Sequence, residues 1–124
     1  MAKVFLDTNI FIDLAENRQR IMFADFLEHE LFLSTLSVHI LTYTYKYNMP
    51  DRKLADLRKH FNLVSLDIKI TEASIIGPTG DFEDNVQLHS AAQAECDFFL
   101  TEDKKLLAIK FFGKAKMVSN LKTA

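Results

Sequence analysis

Near the N-terminus the apolar run Val4-Phe5-Leu6 stops at a carboxylate, Asp7. The polar pair Thr8-Asn9 follows, and a second apolar run, Ile10-Phe11-Ile12, begins at once. A short, fully apolar run that ends this abruptly reads as a buried central strand. Buried strands of this kind belong to parallel sheets covered by helices on both faces. In open α/β sheets ligands bind beyond the carboxyl ends of the strands. Asp7 therefore stands where a site would be, and the question becomes which other acids return to that edge.

The rest of the chain alternates strand and helix patterns. Strands are expected at residues 3–7, 31–34, 63–66, 97–100 and 116–118. A helix starts at Ile10. Another is expected over 21–30, where Ile21, Phe23, Ala24, Phe26 and Leu27 recur at helical spacing. Glu16 to Arg20 between them reads as a loop or a helix start. Further helices are expected over 37–47 with Ser37 as N-cap, over 51–61, over 68–76, over 81–95 with Asp81 as cap, and over 104–109. Pro50 closes one of them, because the residue before proline is pushed out of the helical region. Gly77-Pro78-Thr79-Gly80 is the clearest break. The pattern is that of one doubly wound α/β domain over 1–124, with a mostly parallel sheet of about five strands and helices on both faces.

Composition narrows the chemistry. A chain of 124 residues with 48% hydrophobic content can bury one sizeable core and is too apolar for disorder. The net charge of -2 supplies no global basic field, which argues against an architectural nucleic-acid binder. It leaves room for a nuclease whose acids reach phosphate through metal ions. The single cysteine, Cys96, excludes an internal disulfide and a cysteine-based zinc site, and reads as core. No signal peptide precedes Asp7, and no apolar run approaches the roughly 20 residues of a membrane span. A cytoplasmic protein is the expectation.

Two apolar strands end in acidic turns: Val4-Phe5-Leu6 at Asp7, and Phe98-Phe99-Leu100 at Thr101-Glu102-Asp103. Parallel strands put both endings on one edge, and neighbours lie about 4.8 Å apart. A helix feeding a parallel strand starts at that same edge, so Asp81, Glu83 and Asp84 belong there too. Carboxylates gathered in one place repel, and a divalent cation relieves the repulsion; oxygen-only donors suit magnesium or manganese. Each piece also has a purely structural reading. Asp7-Thr8-Asn9 suits a strand-to-helix turn, Asp81 and Asp84 suit a helix start, and Thr101 and Asp103 suit another. The conjunction is more informative than any member.

These residues resemble a known family. Val4 to Asp13, reading Val-Phe-Leu-Asp-Thr-Asn-Ile-Phe-Ile-Asp, is similar to the opening of PIN-domain proteins, which include the VapC-type toxin ribonucleases. Asp81-Phe82-Glu83-Asp84-Asn85-Val86-Gln87 through Ala91-Ala92 resembles the family's third motif, and Asp97 to Asp103 resembles the strand and acidic turn after it. The resemblance covers nearly the whole chain. It implies a PIN-like three-layer α/β/α fold and a magnesium- or manganese-dependent ribonuclease acting on single-stranded RNA. Asp7, Asp84 and Asp103 match the family's acids, and Thr8, Asn9 and Thr101 match the polar residues that support them. Glu83 and Glu102 are further candidates for orienting water or a second ion. The resemblance also implies an antitoxin protein as partner and a homodimer.

One departure stands out. The family carries a glutamate early in the helix after the second strand, yet no Asp or Glu occurs between Glu30 and Asp51. His39 or Ile40 falls at that position. His39 can ligate a metal through a neutral ring nitrogen, or it can be an ordinary helical surface residue. The loss motivates a second reading, a PIN-like module with weakened or absent catalysis that binds RNA or a protein partner. A third reading, an aspartyl-phosphate enzyme, fits poorly: such phosphatases want a second Asp two residues after the first, and Asn9 stands there. Tyr43, Tyr45 and Tyr47 suit a core or an interface equally.

Overall fold

The computed structural model describes residues 1–18 and 22–122. The first strand, β1 (Lys3–Leu6), runs directly into helix α1 (Thr8–Ala15). The chain continues through β2 (Glu30–Ser34), α2 (Thr35–Thr44), α3 (Arg52–Arg58), β3 (Asn62–Val64), α4 (Ile68–Ile76) and α5 (Phe82–Gln93). It ends with β4 (Phe98–Leu100), α6 (Lys104–Leu107), β5 (Phe111–Phe112) and β6 (Ala115–Val118). The six strands form one sheet in the order β3-β2-β1-β4-β6-β5. All neighbours are parallel except β5, which runs antiparallel to β6.

Alternation along the strands sends side chains to two cores. Val4, Leu6, Leu33 and Leu100 pack with Phe11, Leu41 and Leu57 on the face covered by α1, α2 and α3. Phe5 and Phe99 point the other way and stack at 5.4 Å among Ile70, Val86, Leu88 and Leu106 of α4, α5 and α6. The result is the expected α/β/α layering around a mostly parallel sheet. Cys96 is buried in the second core, and burial pushes its thiol up to about 12, consistent with a packing role.

The positions that matter for the site follow from register. Leu6 pairs with Leu100, so Asp7 and Thr101 leave the two central strands at the same level. The Asp7 N–H extends the ladder to the Leu100 carbonyl, and the Thr101 N–H extends it to Val118. At the start of α5, buried Asn85 uses its whole side chain on α4 and the loop that follows it. Its Oδ1 accepts from the Thr79 N–H and hydroxyl, and its Nδ2 donates to the carbonyls of Ser74 and Thr79. That clamp sets the first turn of α5 beside the strand ends.

Three sequence expectations need correction. The helix expected over 21–30 is a single 3-10 turn, Phe23–Phe26, and Ile21 lies outside the described residues, as do Gln19 and Arg20. Phe26 alone of that turn is buried, and Glu30 is drawn into β2 by its N–H bond to the Ala2 carbonyl. Helix α2 is capped by Ser34, whose hydroxyl accepts from the Leu36 N–H; Ser37 lies inside the helix and is buried. Among the described residues the sheet has six strands, one more than the roughly five expected. The extra one, Phe111–Phe112, is only two residues long and turns back through Gly113 at φ +60. A Cβ there would also meet the Ala92 side chain at 3.1 Å.

Candidate functional site

Asp7 occupies the residue before α1, where an aspartate would ordinarily cap the helix. Its side chain makes no capping bond. Instead its Oδ2 accepts a 2.6 Å hydrogen bond from the Thr101 hydroxyl. Asp7 is 5% exposed. Burial raises its pKa; the Thr101 hydroxyl, the Thr8 N–H and the Gln87 amide pull it back, and the charge of Asp103 pushes it up again.

Around it stands a set of supports. The Thr8 N–H donates to Oε1 of Gln87 at 2.6 Å, which fixes the amide's orientation. The Gln87 Nε2 is buried and has no hydrogen-bond partner among the described residues. The Thr8 and Ser37 hydroxyls share a 2.7 Å hydrogen bond that ties α1 to α2. Thr101 also accepts the Asp103 N–H at 3.0 Å, and Asp103 caps α6 by accepting from the Lys105 N–H at 2.8 Å.

Asp81 caps α5 by accepting the Asp84 N–H at 2.9 Å. Asp84, half-buried on that first turn, feels Asp81, Asp7, Asp103 and Glu83. Burial first and then these charges push its pKa up to about 6. Burial, Asp81 and Asp7 raise Glu83 as well. The expected acids Asp7, Asp84 and Asp103 thus share one electrostatic neighbourhood.

A cleft of about 730 Å³ opens there, lined by Asp7, Thr8, Asn9, Glu83, Glu102 and Asp103. Asp84 is not among its lining residues. Nor is His39, which is exposed on α2 with its ring stacked on Tyr43 at 6.0 Å. Ile40, the other occupant of the missing glutamate's position, does line the cleft. Of the two residues at the expected position, the one that borders the cleft is apolar.

The donors fit a divalent cation in kind: they are carboxylates, and burial and like charge nearby raise the pKa values of Asp7 and Asp84. Among the described residues no three acidic, histidine or cysteine side chains converge closely enough to chelate an ion. A sequence model of the PIN domain matches residues 3–105. The chain belongs to the PIN-domain family. No curated protein matches it. A solved relative in fold is the crystal structure of VapBC2 from Rickettsia felis bound to a DNA fragment from their promoter. One of its chains superposes with a TM-score of 0.65 over 94% of this PIN domain and 97% of that chain, at 13% identity. Identity that low carries the fold alone.

Sequence reasoning missed four residues of this PIN domain's site. Ser37 was readable as a helix cap, and its bond to Thr8 depends on the packing of α1 against α2. Gln87 lies three residues after Asp84, hence on the same helix face, and that spacing was the available signal. Arg18 and Tyr45 also line the cleft, and nothing in the local sequence points them there.

Proposed function

We propose that this PIN domain is a divalent-metal-dependent endoribonuclease of single-stranded RNA. The observation that carries the reading is the Asp7 carboxylate. It is buried, withheld from capping α1, held by Thr101, and coupled in charge to Asp84 and Asp103. A carboxylate held this way at the carboxyl edge of a parallel sheet is costly for stability alone.

Asp7, Asp84 and Asp103 would hold the ion. When bound, magnesium or manganese activates water and stabilises the charge that develops on a phosphoryl group. The protein's own part is positioning. Thr101 orients Asp7 and anchors the backbone of Asp103. Gln87 and Ser37 fix Thr8, and Asn9 borders the cleft. Glu83 and Glu102, exposed on the cleft wall, would orient water or a second ion. Burial and the neighbouring carboxylates push the Asp84 pKa up to about 6, so protons would compete with a bound cation at this carboxyl as pH falls below neutrality.

The test is calorimetric titration of manganese into the protein and its Asp7→Asn variant, with an RNA-cleavage assay on the same samples. Binding and cleavage in the parent, both lost in the variant, support the reading. Cleavage that survives both Asp7→Asn and Asp103→Asn ends it.

A second reading is favoured by one observation, Ile40 in the cleft. A PIN domain short of one acid can keep the fold and bind RNA or a protein while cutting nothing. It would show no tight manganese binding and no metal-dependent cleavage. An antitoxin partner is proposed on family grounds, supported in fold by the VapBC2 likeness. A homodimer is proposed on the family resemblance alone, and light scattering after size exclusion tests it. No helix of the described residues is long and apolar enough to cross a membrane; a cytoplasmic location is part of the proposal.

A further inference from the structure

Helix α1 joins two points of the same cleft. Asp7 precedes it. At its other end the chain turns left-handed at Asn17, φ +54. The Asn17 N–H donates to the Leu14 carbonyl at 3.4 Å and the Arg18 N–H to the Asp13 carbonyl at 2.6 Å. These are the paired bonds of a Schellman turn. Asparagine tolerates the left-handed conformation better than most residues. The turn folds Arg18 back beside the helix.

The Arg18 guanidinium donates to the Tyr45 hydroxyl at 2.5 Å, and its Nε lies 3.8 Å from an Asp13 oxygen. Arg18 and Tyr45 both line the cleft. Among the described lining residues Arg18 is the one cation, facing Asp7, Asp13, Glu83, Glu102 and Asp103. Its side chain is 51% exposed. An exposed Arg–Asp pair at 3.8 Å contributes little to stability, so pairing with Asp13 alone is a weak account of this placement.

We infer that Arg18, braced by Tyr45, binds a phosphate of single-stranded RNA adjacent to the one that is cut. The inference rests on the nuclease reading above. A cleft walled by acids repels a polyanion, and the chain's net charge does nothing to offset this. A guanidinium is always charged and presents five donors in a fork matched to phosphate. The Tyr45 hydroxyl takes one donor and steadies the plane. Helix α1, eight residues and about 12 Å long, separates Arg18 from Asp7. With Asp7 at the opposite end of the helix, Arg18 is assigned a phosphate near the scissile one, not the scissile phosphate itself.

The experiment is fluorescence anisotropy with a short fluorescein-labelled oligoadenylate, titrated with Asp7→Asn protein so that cleavage does not interfere. The same titration is run on Asp7→Asn carrying Arg18→Ala, Arg18→Lys or Tyr45→Phe, across a salt series. Arg18→Ala should weaken binding about tenfold at low salt. It should also flatten the slope of log affinity against log salt by about 0.7, the share of one phosphate contact on a single strand. Arg18→Lys should keep most of the slope, and Tyr45→Phe should lose less affinity than Arg18→Ala. Unchanged affinity and slope in Arg18→Ala overturn the subsite. If the parent still cuts RNA in an Asp7-dependent way, the nuclease reading survives that failure. If the parent cuts nothing with magnesium or manganese while Arg18-dependent binding persists, the nuclease reading falls and the phosphate subsite stands.

Discussion

The Thr101 hydroxyl donates to Oδ2 of Asp7 across 2.6 Å and accepts the Asp103 N–H across 3.0 Å. One buried oxygen thus fixes two of the three acids. Thr101→Val keeps the shape and removes both bonds. It should cost about 1–3 kcal/mol of stability, because a buried carboxylate loses its donor. Cleavage should fall roughly 10–100-fold, as for residues that orient metal ligands. Thr101→Ser should recover most of both. Urea denaturation and initial rates on the same variants measure the two effects.

Asp7→Asn should separate stability from function. The amide can still accept from Thr101 and carries no buried charge. Metal binding and cleavage should fall below detection, while the ion-free protein at neutral pH should melt at a higher temperature than the parent. A variant that is both inactive and less stable at neutral pH would assign Asp7 to the architecture.

The pH dependence follows from Asp84. Its folded pKa of about 6 stands above the ordinary 3.8. A raised carboxyl contributes stability that is present below the unfolded value and lost as pH rises through the folded value. Asp7 and Glu83, also raised, act in the same direction. Asp97, lowered by the Lys3 N–H, acts oppositely in acid. In chelator, the stability difference between the parent and Asp84→Asn should therefore shift against the parent between about pH 4 and 7. Manganese should shrink that shift. Urea midpoints across the range decide it, and parallel curves for the two proteins would refute the shared-charge picture.

Ile40→Glu restores an acid to the cleft wall. Without metal it adds repulsion and should lower the melting temperature. With manganese it should tighten binding on the order of tenfold, since ligand charge count tunes affinity for hard cations. His39→Glu, on the exposed face of α2, should do neither. Equal effects from the two substitutions would mean that Ile40 does not face the ion.

Much of this was legible in advance, for physical reasons. Val4-Phe5-Leu6 and Phe98-Phe99-Leu100 are short apolar runs with acids at their ends, and parallel register brings such ends together without further information. The start of α5 was legible because Asp81 is a strong cap. What stayed hidden depends on tertiary partners. The segment before Glu30 has helical spacing, but the β2 pairing with β1 takes its end. A two-residue strand such as β5 has no pattern of its own. The choice between His39 and Ile40 turns on which face of α2 meets α1, and one helix in isolation does not say. Arg18 reaches the cleft only through a backbone turn at Asn17.

The Asp7–Thr101 bond spans 94 residues of sequence. During synthesis, then, the first acid emerges long before anything that can hold it. Until β4 pairs with β1, Asp7 has neither its hydroxyl donor nor the company of Asp103. A nascent or truncated chain lacking β4 would carry the opening motif intact and still have no site. Any activity that depends on these acids is therefore withheld until the ribosome has delivered nearly the whole of the matched region.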